Sequence, residues 1–138
     1  MSEHKSLTIL LVEDSAVLAD RLSEMLHRVP DIDLVGPVDS ERAAVAIALA
    51  RPIDVLILDL HLRQGTGFGV LRALADHPSK SVAIVLTNYA LPQYQRAAKQ
   101  LGVRYFLDKA REFERLPEVL REIADAATAS IHPQAGLS

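Results

Sequence analysis

Asp54-Val-Leu-Ile-Leu-Asp-Leu-His-Leu62 sets four consecutive large apolar residues, Val55 to Leu58, between two aspartates. A run this short and this uniformly apolar predicts a strand buried on both faces, as in the centre of a parallel sheet. Asp59 falls where that strand emerges, and in open α/β sheets ligand chemistry gathers at the carboxyl ends of the strands. Read alone, Asp59 serves equally well as a turn residue or helix cap.

Leu7-Thr-Ile-Leu-Leu-Val12 has the same construction and runs directly into Glu13-Asp14. If the two strands are neighbours, three carboxylates meet. Like charges so close raise one another's pKa unless a cation compensates. A hard divalent ion with oxygen ligands resolves the conflict, and Mg²⁺ is satisfied by few carboxylates, with water and phosphate completing its shell.

The bulk properties bound the rest. A chain of 138 residues, 49% of them hydrophobic, suits one domain with a single buried core. The absence of cysteine excludes disulfides, thiolate catalysis and zinc–thiolate sites, and fits a reducing compartment. No apolar run reaches the ~20 residues of a membrane span and no secretory signal is evident, so a soluble, cytoplasmic protein without a membrane partner is expected. A net charge of −3 argues against nucleic acid as a partner. The charge is uneven: residues 1–62 carry eleven acids and five bases, residues 63–138 ten bases and seven acids. This reads either as ordinary solvated helix faces or as an acidic site with a separate basic partner surface.

Along the chain, strand and helix patterns alternate five times. Ser15 is a candidate cap for a helix with Leu18, Leu22, Met25, Leu26 and Val29 on one face, ended by Pro30 and Asp31. Residues 32–38 form a weaker strand, placed at an edge because Pro37 suits no central ladder. Asp39 or Ser40 caps an alanine-rich helix that Pro52 stops. Gly65-Thr-Gly-Phe-Gly69 reads as a flexible loop before a short helix through Leu71, Leu74 and Ala75. It lacks the lysine of a phosphate-binding loop. Residues 81–87 form the fourth strand, ending in Thr87. A helix from about Pro92 follows, with Gly102 as its cap. Residues 103–107 form the fifth strand, then Asp108-Lys109. Leu120, Ile123, Ala124 and Ala127 mark the last helix. The five histidines, at 4, 27, 61, 77 and 132, show no metal-ligand spacing.

Five such units predict a doubly wound, five-stranded parallel α/β sheet. Glu13-Asp14, Asp59, Thr87 and Lys109 close four different strands and so should converge on one rim. In this pattern the chain resembles a response-regulator receiver domain of two-component signalling, a flavodoxin-like (β/α)5 fold with strand order 2-1-3-4-5. The resemblance spans residues 7–127, leaving an extension at 1–6 and a frayed tail at 128–138. It implies that Asp59 accepts a phosphoryl group from a histidine kinase or phosphotransfer protein. Glu13, Asp14, Asp59 and the His61 backbone carbonyl would hold Mg²⁺, and Lys109 would pair with the phosphoryl group. Thr87 and Phe106 would switch a protein-binding face on the fourth helix, fifth strand and last helix. Taken alone, Thr87 reads first as a strand-end residue and Lys109 as a solvated one or a helix C-terminal partner, while one of Tyr105 and Phe106 should face the core and the other the surface.

Departures from the family pattern are Asn88, where a small residue is usual, and Ala110, where proline usually follows the lysine; a trans Lys109–Ala110 peptide is expected. His61 and Tyr89, with Asn88 beside them, flank the path of a hydrolysing water and are bulky, which implies slow loss of the phosphoryl group. The partner surface should include Arg96, Lys99, Arg104 and Arg115. About eleven residues follow the last expected helix, so a stand-alone regulator is expected: a signalling switch and not a turnover enzyme. Two alternatives are a flavodoxin-like flavin binder, which should carry a hydroxyl- and glycine-rich loop where Glu13-Asp14 stands, and an aspartyl-nucleophile phosphohydrolase, whose second acid would replace His61.

Overall fold

The computed structural model describes residues 6–77 and 81–131. The expected extension and tail lie largely outside them, at 1–5 and 132–138, with His4 and His132, but residues 128–131, expected to be frayed, continue the last helix. Five strands, β1 (Leu7–Val12), β2 (Ile32–Val38), β3 (Val55–Leu58), β4 (Val82–Thr87) and β5 (Tyr105–Asp108), form one parallel sheet in the order β2-β1-β3-β4-β5. The doubly wound, flavodoxin-like α/β class read from the sequence is the fold observed.

Residue alternation explains why the central runs are apolar without interruption. Ile9, Leu11, Val55, Ile57, Ile84 and Leu86 face one core, shared with α1 (Ala16–His27) and the last helix, α6 (Leu116–Ile131). Leu10, Val12, Leu56, Leu58, Ala83 and Val85 face a second core, shared with α2 (Glu41–Ala50) and α3 (Gly67–Leu74). A strand with helices over both faces has no solvent side on which a polar residue would be tolerated. Edge strand β2 contains the one cis peptide among the described residues, Gly36–Pro37, so Lys109–Ala110 is trans.

Several boundaries differ from expectation. Helix α1 ends at His27, and the Val29 amide turns back to the Leu26 carbonyl. Strand β5 starts at Tyr105, because Val103 still bonds the end of α4 (Pro92–Gln100) through the Ala98 carbonyl. The Asp108 carboxylate accepts the Ala110 and Arg111 amides and starts a four-residue helix, α5 (Lys109–Glu112). A proline at 110 would have no amide to give. A 3-10 turn at Phe113–Arg115 links α5 to α6. Leu116 and Val119 therefore join Leu120 and Ile123 in the core, whereas Ala127 is exposed.

The glycine stretch enters α3 as expected, but only residues 65 and 66 precede the helix. Thr66 caps α3 by accepting the Gly69 amide at 2.9 Å, and residues 67–69 are helical. A Cβ at Gly67 would run into the Asp59 carbonyl, and one at Gly65 or Gly69 into the Glu41 side chain. Gly67 and Gly69 answer to close approach of other groups, and Gly65 to that and to its left-handed φ of +84°.

Candidate functional site

The carboxyl ends of β1, β3, β4 and β5 meet at one rim, and three of them supply charge. Glu13 and Asp59 are buried, at 4% and 7% exposure. Between them lies the Lys109 ammonium, 2.7 Å from Asp59 Oδ2 and 2.9 Å from Glu13 Oε1. One cation thus bridges two buried anions. Asp14, half-buried, completes an acidic group with Glu13 and Asp59, their ligand oxygens lying within 4.8 Å of one another.

The local backbone aims these groups. The Ser15 amide donates to Glu13 Oε2 at 3.0 Å and the His61 amide to Asp59 Oδ1 at 3.3 Å. Burial pushes the Glu13 carboxyl above its ordinary value, against the opposing pull of the Ser15 amide and Lys109. Burial also pulls the Lys109 ammonium down, but its bonds to Asp59 and Glu13 outweigh that, so its pKa lies above the usual lysine value. The lysine therefore stays charged. The cluster suits a divalent cation: its donors are hard oxygens, and an ammonium already holds two of them together. It also suits an incoming phosphoryl group, which needs a carboxylate nucleophile beside a fixed cation.

Thr87 closes β4 fully buried, and its Oγ1 accepts the Tyr89 amide at 3.2 Å. Phe106 and Tyr105 are both half-buried, on opposite faces of the sheet: Phe106 packs on the second core, while Tyr105 packs on the first and reaches Glu122 at 3.2 Å. The expected split between one core and one surface aromatic fails because each sheet face carries helices. Asn88 is exposed. His61 is exposed too, and its ring lies 4.2 Å from that of Tyr89. Arg96, Lys99, Arg104 and Arg115 are exposed, with Arg115 paired to Glu112 at 2.8 Å.

Three supporting residues escaped the sequence reading. Glu41 Oε1 accepts the Thr66 amide at 3.0 Å, and the Glu41 amide donates to the Gln64 carbonyl, tying α2 to the loop that follows Asp59. Arg63 reaches the Asp14 carbonyl at 3.4 Å. Tyr94 sets its ring 6.2 Å from that of His61. The glycine spacing was the available cue for Glu41, and the other two had none.

An acid cluster and a lysine at the carboxyl rim of this sheet are the plan of a two-component receiver. The response-regulator receiver-domain family model matches residues 9–121, and the chain belongs to that family of signalling switches. It is 30% identical over 117 residues to the transcriptional regulatory protein DesR of Bacillus subtilis, covering 85% of this chain and 58% of DesR. The non-phosphorylated receiver domain of the Escherichia coli stress regulator RcsB superposes with a TM-score of 0.79 at 19% identity, over 88% of this chain and 95% of that one. This chain spans about half the length of the curated relatives it matches, for example 58% and 46% of two of them.

The expectation of no nucleic-acid partner is overturned. Among the similar structures is an RcsB–DNA complex, with a TM-score of 0.80 at 19% identity, of which this chain covers 62%. Such regulators carry further domains. The net charge of a receiver describes its own surface alone and excludes no contact made through another part of the same protein. For the membrane, the finding is narrower: among the described residues no helix is long and apolar enough to cross one.

Proposed function

We propose that Asp59 accepts a phosphoryl group from a phosphohistidine donor, on a histidine kinase or phosphotransfer protein, with Mg²⁺ held by Glu13, Asp14 and Asp59. The observation that carries this reading is the Lys109 ammonium bound to both Asp59 and Glu13 at the rim. A structural aspartate needs no buried cation and no second acid beside it. The resemblance adds the His61 carbonyl to the metal ligands. When bound, the ion supplies charge neutralisation at the phosphoryl oxygens.

The protein's own groups do the rest. An Asp59 carboxylate oxygen forms the bond to phosphorus as the bond to the donor imidazole nitrogen breaks and its electron pair stays on that nitrogen. Lys109 moves from carboxylate to phosphoryl oxygen, a change a flexible point charge makes easily. Thr87 is oriented by the Tyr89 amide, which leaves its hydroxyl proton for a phosphoryl oxygen. Its movement opens space for Phe106 and biases the face formed by α4, β5 and α6 between two states.

The flavin alternative gains nothing here, since a buried carboxylate occupies the place of a phosphate loop after β1. The hydrolase alternative lacks its second acid, since position 61 is histidine. The test is intact mass after acetyl phosphate and Mg²⁺. One phosphoryl adduct is expected in the wild type and none in Asp59→Asn or in EDTA. An adduct of equal yield in either control sinks the proposal.

A further inference from the structure

Four rings run from the rim of this site to half-buried positions against the second core. His61 and Tyr89 meet with centroids 4.2 Å apart and planes tilted by 42°. Behind His61 the Tyr94 ring stands edge-on, at 6.2 Å and 72°. Tyr94 in turn lies 6.0 Å from Phe68. The two ends differ in support. Tyr94 on α4 and Phe68 on α3 are half-buried and packed on the second core, whereas His61 is exposed and Tyr89 is 49% exposed.

The outer pair is also tied to the chemistry. The His61 amide donates to Asp59 Oδ1 and the Tyr89 amide to Thr87 Oγ1, at 3.3 and 3.2 Å. Each exposed ring thus belongs to a residue whose backbone touches a reacting or phosphoryl-binding group. Two exposed rings facing each other would lose rotamer freedom for a modest contact. An edge-on neighbour packed against the second core removes alternative positions of the His61 ring and makes the closed pair persist.

We propose that Tyr94 is a positioning residue for the lifetime of the acyl phosphate. It braces His61, so that the His61–Tyr89 pair stays closed across the approach of water to phospho-Asp59. In the step it retards, water oxygen bonds to phosphorus and the bond from phosphorus to the Asp59 oxygen breaks. The carboxylate keeps the electron pair, and inorganic phosphate and a proton leave. The inference rests on the reading of Asp59 as phosphoryl acceptor.

The test uses the whole chain, phosphorylated with acetyl phosphate and Mg²⁺, freed of donor and followed by intact mass. Tyr94→Leu is expected to shorten the lifetime by about twofold to threefold, no more than loss of the His61 ring itself, the scale of one ring contact. Tyr94→Phe, which keeps the ring, should match wild type. In a His61→Ala background Tyr94→Leu should have no further effect, because its action runs through His61. A merely structural role predicts the same loss in both backgrounds, and that result, or equal lifetimes in wild type and Tyr94→Leu, overturns the proposal. A wild type that takes no phosphoryl group is a failure of the Asp59 reading instead. The brace is then read from the NOE between His61 and Tyr89 ring protons. It should weaken in Tyr94→Leu and persist in Tyr94→Phe, and an unchanged NOE in Tyr94→Leu overturns the brace by itself.

Discussion

On the floor of the site the side chains of Glu13, Asp59 and Lys109 are 2%, 8% and 7% exposed, and each is held by an ion pair of 2.7 or 2.9 Å. At the rim His61 and Tyr89 stand in solvent and touch through their rings. Charges withdrawn from water are strongly coupled, so removing one partner strands the others. Exposed ring contacts are each worth about 0.5–1.5 kcal/mol, and losing one leaves no group unsatisfied. The floor should therefore decide whether chemistry occurs, and the rim how fast it proceeds.

The largest expected effect is on the floor. Asp59→Asn keeps the shape and removes the nucleophile, so acyl phosphate formation should fall to background in the mass assay described above. A rim variant with an equally complete loss would break the distinction.

Lys109→Met comes next. It should fold, be less stable by about 3 kcal/mol at neutral pH, and fail to couple phosphorylation to a change on the α4–β5–α6 face. Without the ammonium, burial and the neighbouring Asp59 carboxylate hold the Glu13 carboxyl above its unfolded value, with the downward pull of Lys109 gone. The deficit should therefore grow as pH rises through that raised Glu13 value and shrink in mildly acidic buffer, where Glu13 is protonated. At the alkaline end the deficit narrows again, because the wild type loses stability there. The folded-state pKa of Lys109 is raised, so the contribution of its ion pairs is full below the ordinary lysine value and is lost as pH rises through the folded one. Urea unfolding of both proteins in EDTA across pH checks these signs.

Gly67→Ala tests the support beneath the floor. Its Cβ would meet the Asp59 carbonyl and sit 3.0 Å from Leu60 Cα. Backbone yields little, so a cost of about 1–3 kcal/mol and slower phosphoryl acceptance are expected. Gly102→Ala is the control. At φ +92° nothing lies within 4 Å, so about 1 kcal/mol of backbone strain and unchanged phosphoryl chemistry should follow. Equal phosphorylation rates in the two variants would show that the fit of Gly67 against Asp59 does not matter.

The smallest effect belongs to the rim itself. His61→Ala and Tyr89→Ala should hasten loss of the phosphoryl group by roughly threefold, the rate equivalent of a ring contact of about 0.7 kcal/mol. Their yield of adduct should stay near that of wild type. Lifetimes unchanged in both would remove the rings from the mechanism and leave them as surface.

The sheet and the floor were legible because their signals are local. Val55–Leu58, Ile9–Val12 and Ala83–Leu86 are apolar at every position, and a strand covered on both faces tolerates nothing else. The acids, Thr87 and Lys109 follow those runs directly, so knowing where a strand stops was enough to put them at one rim. Gly65–Gly69 was read as helix entry but with too long a loop, because glycine does not say whether it serves backbone conformation, as the φ of +84° at Gly65 does, or room. Whether the room serves a turn or the side chain of Glu41 depends on where α2 lies.

Chain order and side-chain chemistry by themselves determined the parallel sheet, its strand order through the family resemblance, and which charged groups reach the rim. Tertiary structure alone decided that Lys109 bridges Asp59 and Glu13, that Glu41 seats against the α3 glycines, and that Tyr94 stands behind His61. Burial periodicity is written into consecutive residues, each of which responds to the same water-excluding environment. The meeting of two side chains from separate helices depends on sheet twist, helix position and rotamer, which the whole packed molecule sets together.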